Sequence, residues 1–490
     1  MSLDPKTPVL VGVGAIMQKI EDPREASEPL ELMGVALERA ASDAGAPSLL
    51  SRVDSIWTPR GFWSYSSPGR LLGERFGAPF VRTVVSEIGV LQTTVLGRAA
   101  KAISRGESEV AMIVGGEARD REMRFQRLGL ETPTTLRNDF QPDEVLRPEA
   151  EIMSRLEIEL GLVSPTTQFA LIDNALRAFE GQSVKAYQEE VGRLWAVANR
   201  VAMENPDAWI RTPVSAEDIV TPGPSNRMLS FPYTKSLVSQ WNVNQASGLI
   251  LCSLDCARRL GLDDRRFIYP LAVVDSEAML PLSERRDLHR SPGFEKAFAR
   301  SLSHIDRSLE EIEFLELYSC FPAAVRIQQR ALKLDPERRV TETGGMTFAG
   351  GPLNNFVLQA WVKMVERLRA EPGATGLVTA VSGFFTKQGV SLLGPEPSHP
   401  FLFDQVTEAV RAEQTPIRIE PRAEGRARVA SYTVVHEREA EPRVVLFLDF
   451  DQERRTLRVV NDRDLAEEAM SSELCGREVQ IELDGKMRWL

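Results

Sequence analysis

The sequence is poor in the side chains that most often carry chemistry. Its 490 residues contain four cysteines and four histidines, and no cysteine precedes Cys252. Four thiols in a chain this long make no disulfide framework, and the first half offers no thiol nucleophile. No run of about 18 apolar residues occurs, so no membrane-spanning helix is predicted. The N-terminal stretch lacks the basic and apolar regions of a secretory signal. A basic surplus is absent too: 59 Lys and Arg stand against 70 Asp and Glu, for a net charge of -11. That argues against a broad nucleic-acid or membrane surface, while leaving room for a local basic pocket that holds a phosphorylated ligand. The expectation is a cytoplasmic globular protein with no nucleic-acid partner and no membrane span.

What is present is ordinary globular material, 43% hydrophobic and 26% charged, enough for a large core in about three domains. Residues 9–14 (VLVGVG) read as a buried strand, and Leu30, Met33, Ala36 and Leu37 fall at helical spacing before the stop at Gly45 and Pro47. A strand follows at 53–57, a helix at about 89–105 and a buried strand at 109–116 (EVAMIVGG). The same grammar returns: strand 267–274, helix 292–304, strand 312–318, helix 351–370, strand 376–382. Repeated strand–helix–strand units predict parallel sheets covered by helices, and the repetition points to duplication. Between the copies, about 120–221 is charged and helical, with periodic stretches at 168–181 and 184–201, and reads as an inserted loop domain outside the sheet. After Pro400, short strands at 428–437, 444–450, 455–460 and 478–483 and a helix at 464–472 predict a small barrel.

Four motifs carry a resemblance. The stretches 232–253, 344–359 and 380–389 look like those of the thiolase superfamily, especially the acetyl-CoA acetyltransferase-like, type 1 thiolase-like proteins, over about residues 7–398. The C-terminal segment resembles the additional domain of that group. The resemblance implies an α/β chain with a duplicated, five-layered αβαβα thiolase fold, a helical loop domain that covers the entrance and binds coenzyme A, and a small oligonucleotide-binding-like β-barrel. The halves would be 1–262 and 263–398, with the extra domain at 399–490. Thiolases place a nucleophilic cysteine at the start of a buried helix, where the helix N-terminus favours the thiolate. Here that place falls near Gly89, in Glu87-Ile88-Gly89-Val90-Leu91. The family Gly-His-Pro reads Gly350-Gly351-Pro352, with Gly351 at the histidine's place. The Asn-Glu-Ala-Phe or His-Asp-Cys-Phe stretch reads Tyr318-Ser319-Cys320-Phe321, and the Cys-x-Gly loop reads Val381-Ser382-Gly383-Phe384. The cysteine, histidine and acid/base cysteine are all missing.

Several residues have two readings. Tyr318 stands where relatives hold an oxyanion donor, and its phenol is suited to hydrogen-bonding a thioester oxygen or moving a proton; alternatively it is a tyrosine buried at a strand end. Gly344-Gly345 and Gly350-Gly351 form either an anion-cradling loop or plain turns. Asn354 and Asn355, and Asn242, Asn244 and Ser247, are candidate pocket donors or caps. Cys320 reads as structural. Cys252 and Cys256 flank Ser253, a predicted N-cap, and no zinc site is expected. Three functions remain open. The chain is an acyl-CoA-binding acetyltransferase homologue of lipid metabolism without classical thiolase activity, a retro-aldolase or other acyl-CoA lyase using Tyr318, or a non-catalytic subunit binding a partner through its extra domain. The expected ligand is coenzyme A or an acyl-CoA, with no tightly bound cofactor and no metal, in a monomer or homodimer.

Overall fold

The computed structural model describes residues 3–135, 139–482 and 485–490. In the first half, β1 (Pro8–Met17), α1 (Pro29–Asp43), β2 (Ser55–Pro59), β3 (Arg82–Ser86), α2 (Gln92–Arg105), β4 (Val110–Ala118), β5 (Glu144–Leu146), α3 (Pro165–Phe179), α4 (Val184–Glu204), β6 (Met228–Ser230) and β7 (Asn244–Ser253) follow in order. The first sheet runs β1-β7-β4-β2-β3-β5. β7 is buried at all ten positions and β4 at all nine, the pattern of strands covered on both faces.

The second half contains β8 (Tyr269–Ser276), α5 (Pro292–His304), β9 (Phe314–Glu316), α6 (Pro322–Leu332), α7 (Phe356–Ala370), β10 (Gly376–Ser382), β11 (Lys387–Gly394) and β12 (Leu402–Gln405). Its sheet runs β9-β10-β11-β8-β12. The series β1-β7-β4-β2 and β8-β11-β10-β9 match, each with two antiparallel pairings followed by a parallel one. The duplication expected from element order is therefore present in strand order and direction. α2 and α7 lie between the two sheets, and their Leu96, Ala100, Leu358 and Trp361 share one core with Leu249 and Val273 of the sheets. With α1 outside the first sheet and α5 outside the second, the layers are αβαβα.

Two expectations needed revision. The insertion at about 120–221 is not wholly outside the sheet, because β5 inside it pairs parallel with β3 and covers that strand's edge. The C-terminal segment does not separate at 399, because β12 pairs parallel with β8 and extends the second sheet. The third sheet starts with β13 (Arg418–Ile419) and continues through β14 (Gly425–Val435), β15 (Arg443–Asp449), β16 (Arg454–Val460), β17 (Glu478–Ile481) and β18 (Met487–Trp489), with α8 (Arg463–Ser471) packed against it. The strand predicted at 478–483 ends at Ile481, and Leu483 lies outside the described residues. This curled sheet takes two short strands from the first half: Val435 of β14 pairs with Ser230 of β6, and β6 pairs in turn with Tyr233–Thr234. It also leans on α3, where Asn174 Nδ2 donates to the carbonyls of Phe231 and Tyr432 at 3.0 and 2.9 Å. Fully buried Arg455 donates to the carbonyls of Ser283 and Arg285 at 3.0 and 2.7 Å, fastening the sheet to the second half. Among the described residues no helix is long and apolar enough to cross a membrane.

Candidate ligand site and the thiolase positions

The four motif positions converge near the N-terminal ends of α2 and α7. Gly89 precedes α2 with φ +104, and its carbonyl accepts a hydrogen bond from the buried Lys387 Nζ. Burial holds the Lys387 ammonium below its usual range, against the pull of Glu277, Glu149 and Asp275. The hydroxyls of Thr93 and Thr94, in the first turn of α2, donate to Asp275 of β8 at 2.6 and 2.7 Å. Asp275 is fully buried, which pushes its carboxyl up to about 7 despite those two bonds. The positive end of α2, which would favour a thiolate, instead faces a carboxyl group from the other half.

At the histidine's place, a Cβ on Gly351 would lie 3.0 Å from Met346 Cε and 3.3 Å from Ser239 Cβ. A side chain there would press on both neighbours from its first carbon. Gly351 N–H donates to the Gln240 carbonyl at 2.8 Å, and Gly350, at φ +104, abuts the Gln245 side chain. The N–H groups of Gly344 and Gly345 donate to Thr341 Oγ1 at 3.0 and 3.1 Å, and Met346 N–H donates to Ser319 Oγ at 3.0 Å. Thr341 and Thr343 are held in turn by Glu316, a fully buried carboxyl that burial pushes up to about 7. The glycine loop is thus satisfied from within the protein, and these N–H groups do not form an open anion cradle.

Tyr318 is half-buried, edge-on to Phe356 with ring centroids 5.9 Å apart. Among the described residues its hydroxyl has no hydrogen-bond partner, and burial beside the Cys320 thiol raises its phenol far above the usual range. Burial raises the Cys320 thiol as well. Ser382 ends β10, and its carbonyl accepts from Thr386 Oγ1 at 3.2 Å. Asn354 bridges the two central helices, donating to the Arg60 carbonyl at 2.8 Å and accepting from Gln92 Nε2 at 3.3 Å. Asn244 accepts from Arg121 N–H and donates to the Gln18 carbonyl. Ser247 is buried within β7, between Ala15 and Gly115 of its neighbours, and Asn242 is half-buried before β7. Of the predicted residues, Ser319, Gly344 and Gly345 border a sizeable cavity.

That cavity, about 540 Å³, lies between α4, α6 and residues 333–348. Its walls include Leu194, Trp195, Leu317, Val325, Met346 and Phe348. Arg193, Arg330, Lys333 and Arg338 stand at its mouth with Glu190 and Glu337. Arg330 pairs with Glu180 at 2.7 Å and with Glu190 at 3.0 Å. Arg193 and Lys333 have no partner among the described residues. Sequence reading missed this site because its walls come from segments more than a hundred residues apart. The only local signal was the cationic spacing around α6.

The comparisons bear on these features. Residues 405–486 match the family described as the thiolase-like protein type 1 additional C-terminal domain. A monomeric SCP2-thiolase-like protein type 1 from Mycobacterium smegmatis is 26% identical, with both chains covered over 100% of their length and a TM-score of 0.85. The chain has a thiolase-like fold and carries at 405–486 the additional C-terminal domain of the type 1 thiolase-like proteins. Two further structures share the fold with this thiolase-like protein. The Ltp2-ChsH2(DUF35) aldolase is 18% identical, with a TM-score of 0.58 over 80% of this chain and 98% of that one. The Acat5 thiolase from Ascaris suum, solved in complex with coenzyme A, is 14% identical, with a TM-score of 0.56 over 80% of this chain and 100% of that one. No curated protein matches the chain.

Proposed function

We propose that this thiolase-like protein binds an acyl-CoA and does not perform thiolase chemistry. The observation that carries the reading is the 540 Å³ cavity beneath α4, apolar inside and cationic at its mouth. An acyl thioester of a phosphorylated carrier has the matching polarity. Against condensation or thiolysis stand the missing cysteine before Cys252, the closed space at Gly351 and the internally bonded N–H groups of the glycine loop. Oxyanion stabilisation needs donors aimed at an open position, and these point inward. The coenzyme A held by the Ascaris suum relative gives the ligand class a precedent on this fold.

Calorimetric titration with coenzyme A and acyl-CoAs of graded chain length tests the reading, alongside a thiolysis assay. Saturable binding that strengthens with chain length and no thiolysis is the expected result. Absence of binding by every acyl-CoA refutes it. One observation favours a second reading, carbon–carbon cleavage of an acyl-CoA at Tyr318: the phenol has a free hydroxyl beside the motif positions. Loss of such turnover in Tyr318→Phe, with the fold intact, would establish it.

A further inference from the structure

We infer that the cavity beneath α4 receives the apolar chain of an acyl amphiphile tail first, and that Arg193 and Lys333 hold its anionic head at the mouth. This rests on the acyl-CoA reading only in that an acyl-CoA is one such ligand; a free long-chain carboxylate is the other.

The direction of entry follows from which polar groups are already engaged. Inside, Ser319 Oγ accepts from Met346 N–H at 3.0 Å and Thr347 Oγ1 accepts from Trp195 Nε1 at 3.0 Å. Thr341 Oγ1 is tied to Glu316 at 2.9 Å and to Gly344 N–H at 3.0 Å. A charged group pushed to this depth would lose its water without gaining a counter-charge, which is costly. An alkyl chain gives up no hydrogen bond to water there and gains by burial.

At the mouth the balance reverses. Glu190 is held by Arg326 and Arg330, each at 3.0 Å, so it does not answer the remaining cations. Arg193 on α4 and Lys333 at the C-terminal end of α6 are exposed and have no partner among the described residues. They come from two different helices that line the cavity, so both helices offer a cation to an anionic head at the entrance. Arg338 donates to the carbonyls of Leu309 and Ile312, and is therefore neutralised by no acid in the described residues. Glu337 offsets part of this charge and leaves the cations in excess. Carboxylate and phosphate are both served by such a pair.

The test uses the full chain and reads intrinsic tryptophan fluorescence, to which the cavity-lining Trp195 contributes, and calorimetry with dodecanoate, dodecanol, dodecanoyl-CoA and coenzyme A. Dodecanoate and dodecanoyl-CoA are expected to bind and to displace one another. Ala198→Trp, on the α4 wall, should weaken both by about tenfold or more, with Ala198→Leu as the milder filling if the first does not fold. Arg193→Ala with Lys333→Ala should weaken both by about tenfold and leave dodecanol unchanged. If dodecanoyl-CoA binds and neither wall variant changes it, the cavity assignment is overturned and the acyl-CoA reading survives. If dodecanoate binds and is lost on filling while no CoA ligand binds, the cavity assignment stands and the acyl-CoA reading fails. If no ligand binds, both are overturned.

Discussion

Rebuilding the thiolase residues should destabilise this protein without making it a thiolase. Consider Gly89→Cys combined with Gly351→His. At Gly89 the backbone has φ +104, which an L residue adopts at a cost of about 1–2 kcal/mol, and the new Cβ would sit 3.2 Å from Pro148 Cγ. At Gly351 the new Cβ meets Met346 Cε at 3.0 Å and Ser239 Cβ at 3.3 Å before the ring is added. Met346 is 4% exposed, so its flexible end has little space to retreat into except the cavity. Overpacking of this kind costs about 1–3 kcal/mol. The pair together should lower the unfolding free energy by about 2–5 kcal/mol. The thiol would also meet a helix end already facing Asp275, which removes the usual help toward a thiolate. Urea unfolding gives the first quantity and thiolysis of an acetoacetyl thioester the second. An unchanged urea midpoint with clear thiolysis would refute the argument that these positions are closed.

Three further outcomes are expected. Burial raises Glu117, Asp275 and Glu316 to about 7 from ordinary values of 4.5, 3.8 and 4.5, so the folded state holds those protons longer than the unfolded chain. Their stabilisation is full below about pH 4 and is lost as the pH rises to about 7, on the order of 3–4 kcal/mol per group; urea midpoints across that range should fall, and Glu316→Gln should flatten the fall. Arg326 is fully buried among Asp173, Glu180 and Glu190, and Asp173 also accepts from the hydroxyls of Tyr187 and Tyr233 at 2.8 Å each. Arg326→Ala leaves buried Asp173 without a cation, while Arg330 still answers Glu180 and Glu190, and should cost about 3–5 kcal/mol in urea unfolding, whereas a loss below about 1 kcal/mol would contradict the network's role. Ending the chain before β13 bares α3 and the edge of β6, so size-exclusion chromatography should show aggregate, and a soluble monomer would count against the packing described.

Much of the layered fold was legible because its signals are local. Helix 292–304 was read with correct ends, since Ser291 caps it and Pro292 opens it. Strand 376–382 was likewise read in full, and Ser253 does cap the following helix by accepting from Cys256 N–H at 3.1 Å. β5 was missed because three residues in a charged stretch carry no period. β12 was assigned to the wrong unit because Leu402–Gln405 reads alike in either sheet. The missing cysteine and histidine were plain in the sequence. The reason they could not simply be restored was not, because Met346, Ser239 and Asp275 approach those positions only in three dimensions. At Gly344 and Gly345 the anion-cradling reading met a similar obstacle: Thr341 and Thr343 supply acceptors that spacing alone does not reveal.

The strand β6 has a consequence for biosynthesis. Its partner in the curled sheet, Val435, follows Ser230 by 205 residues. At about 5–20 residues per second, the ribosome delivers that partner about 10–40 s after β6 has emerged. Through that interval the edge of β6 and the α3 face beside it remain open on a nascent chain whose first half is otherwise complete. The accessory sheet is therefore completed only when both ends of the chain have been made, and holding chaperones have that interval in which to act on it.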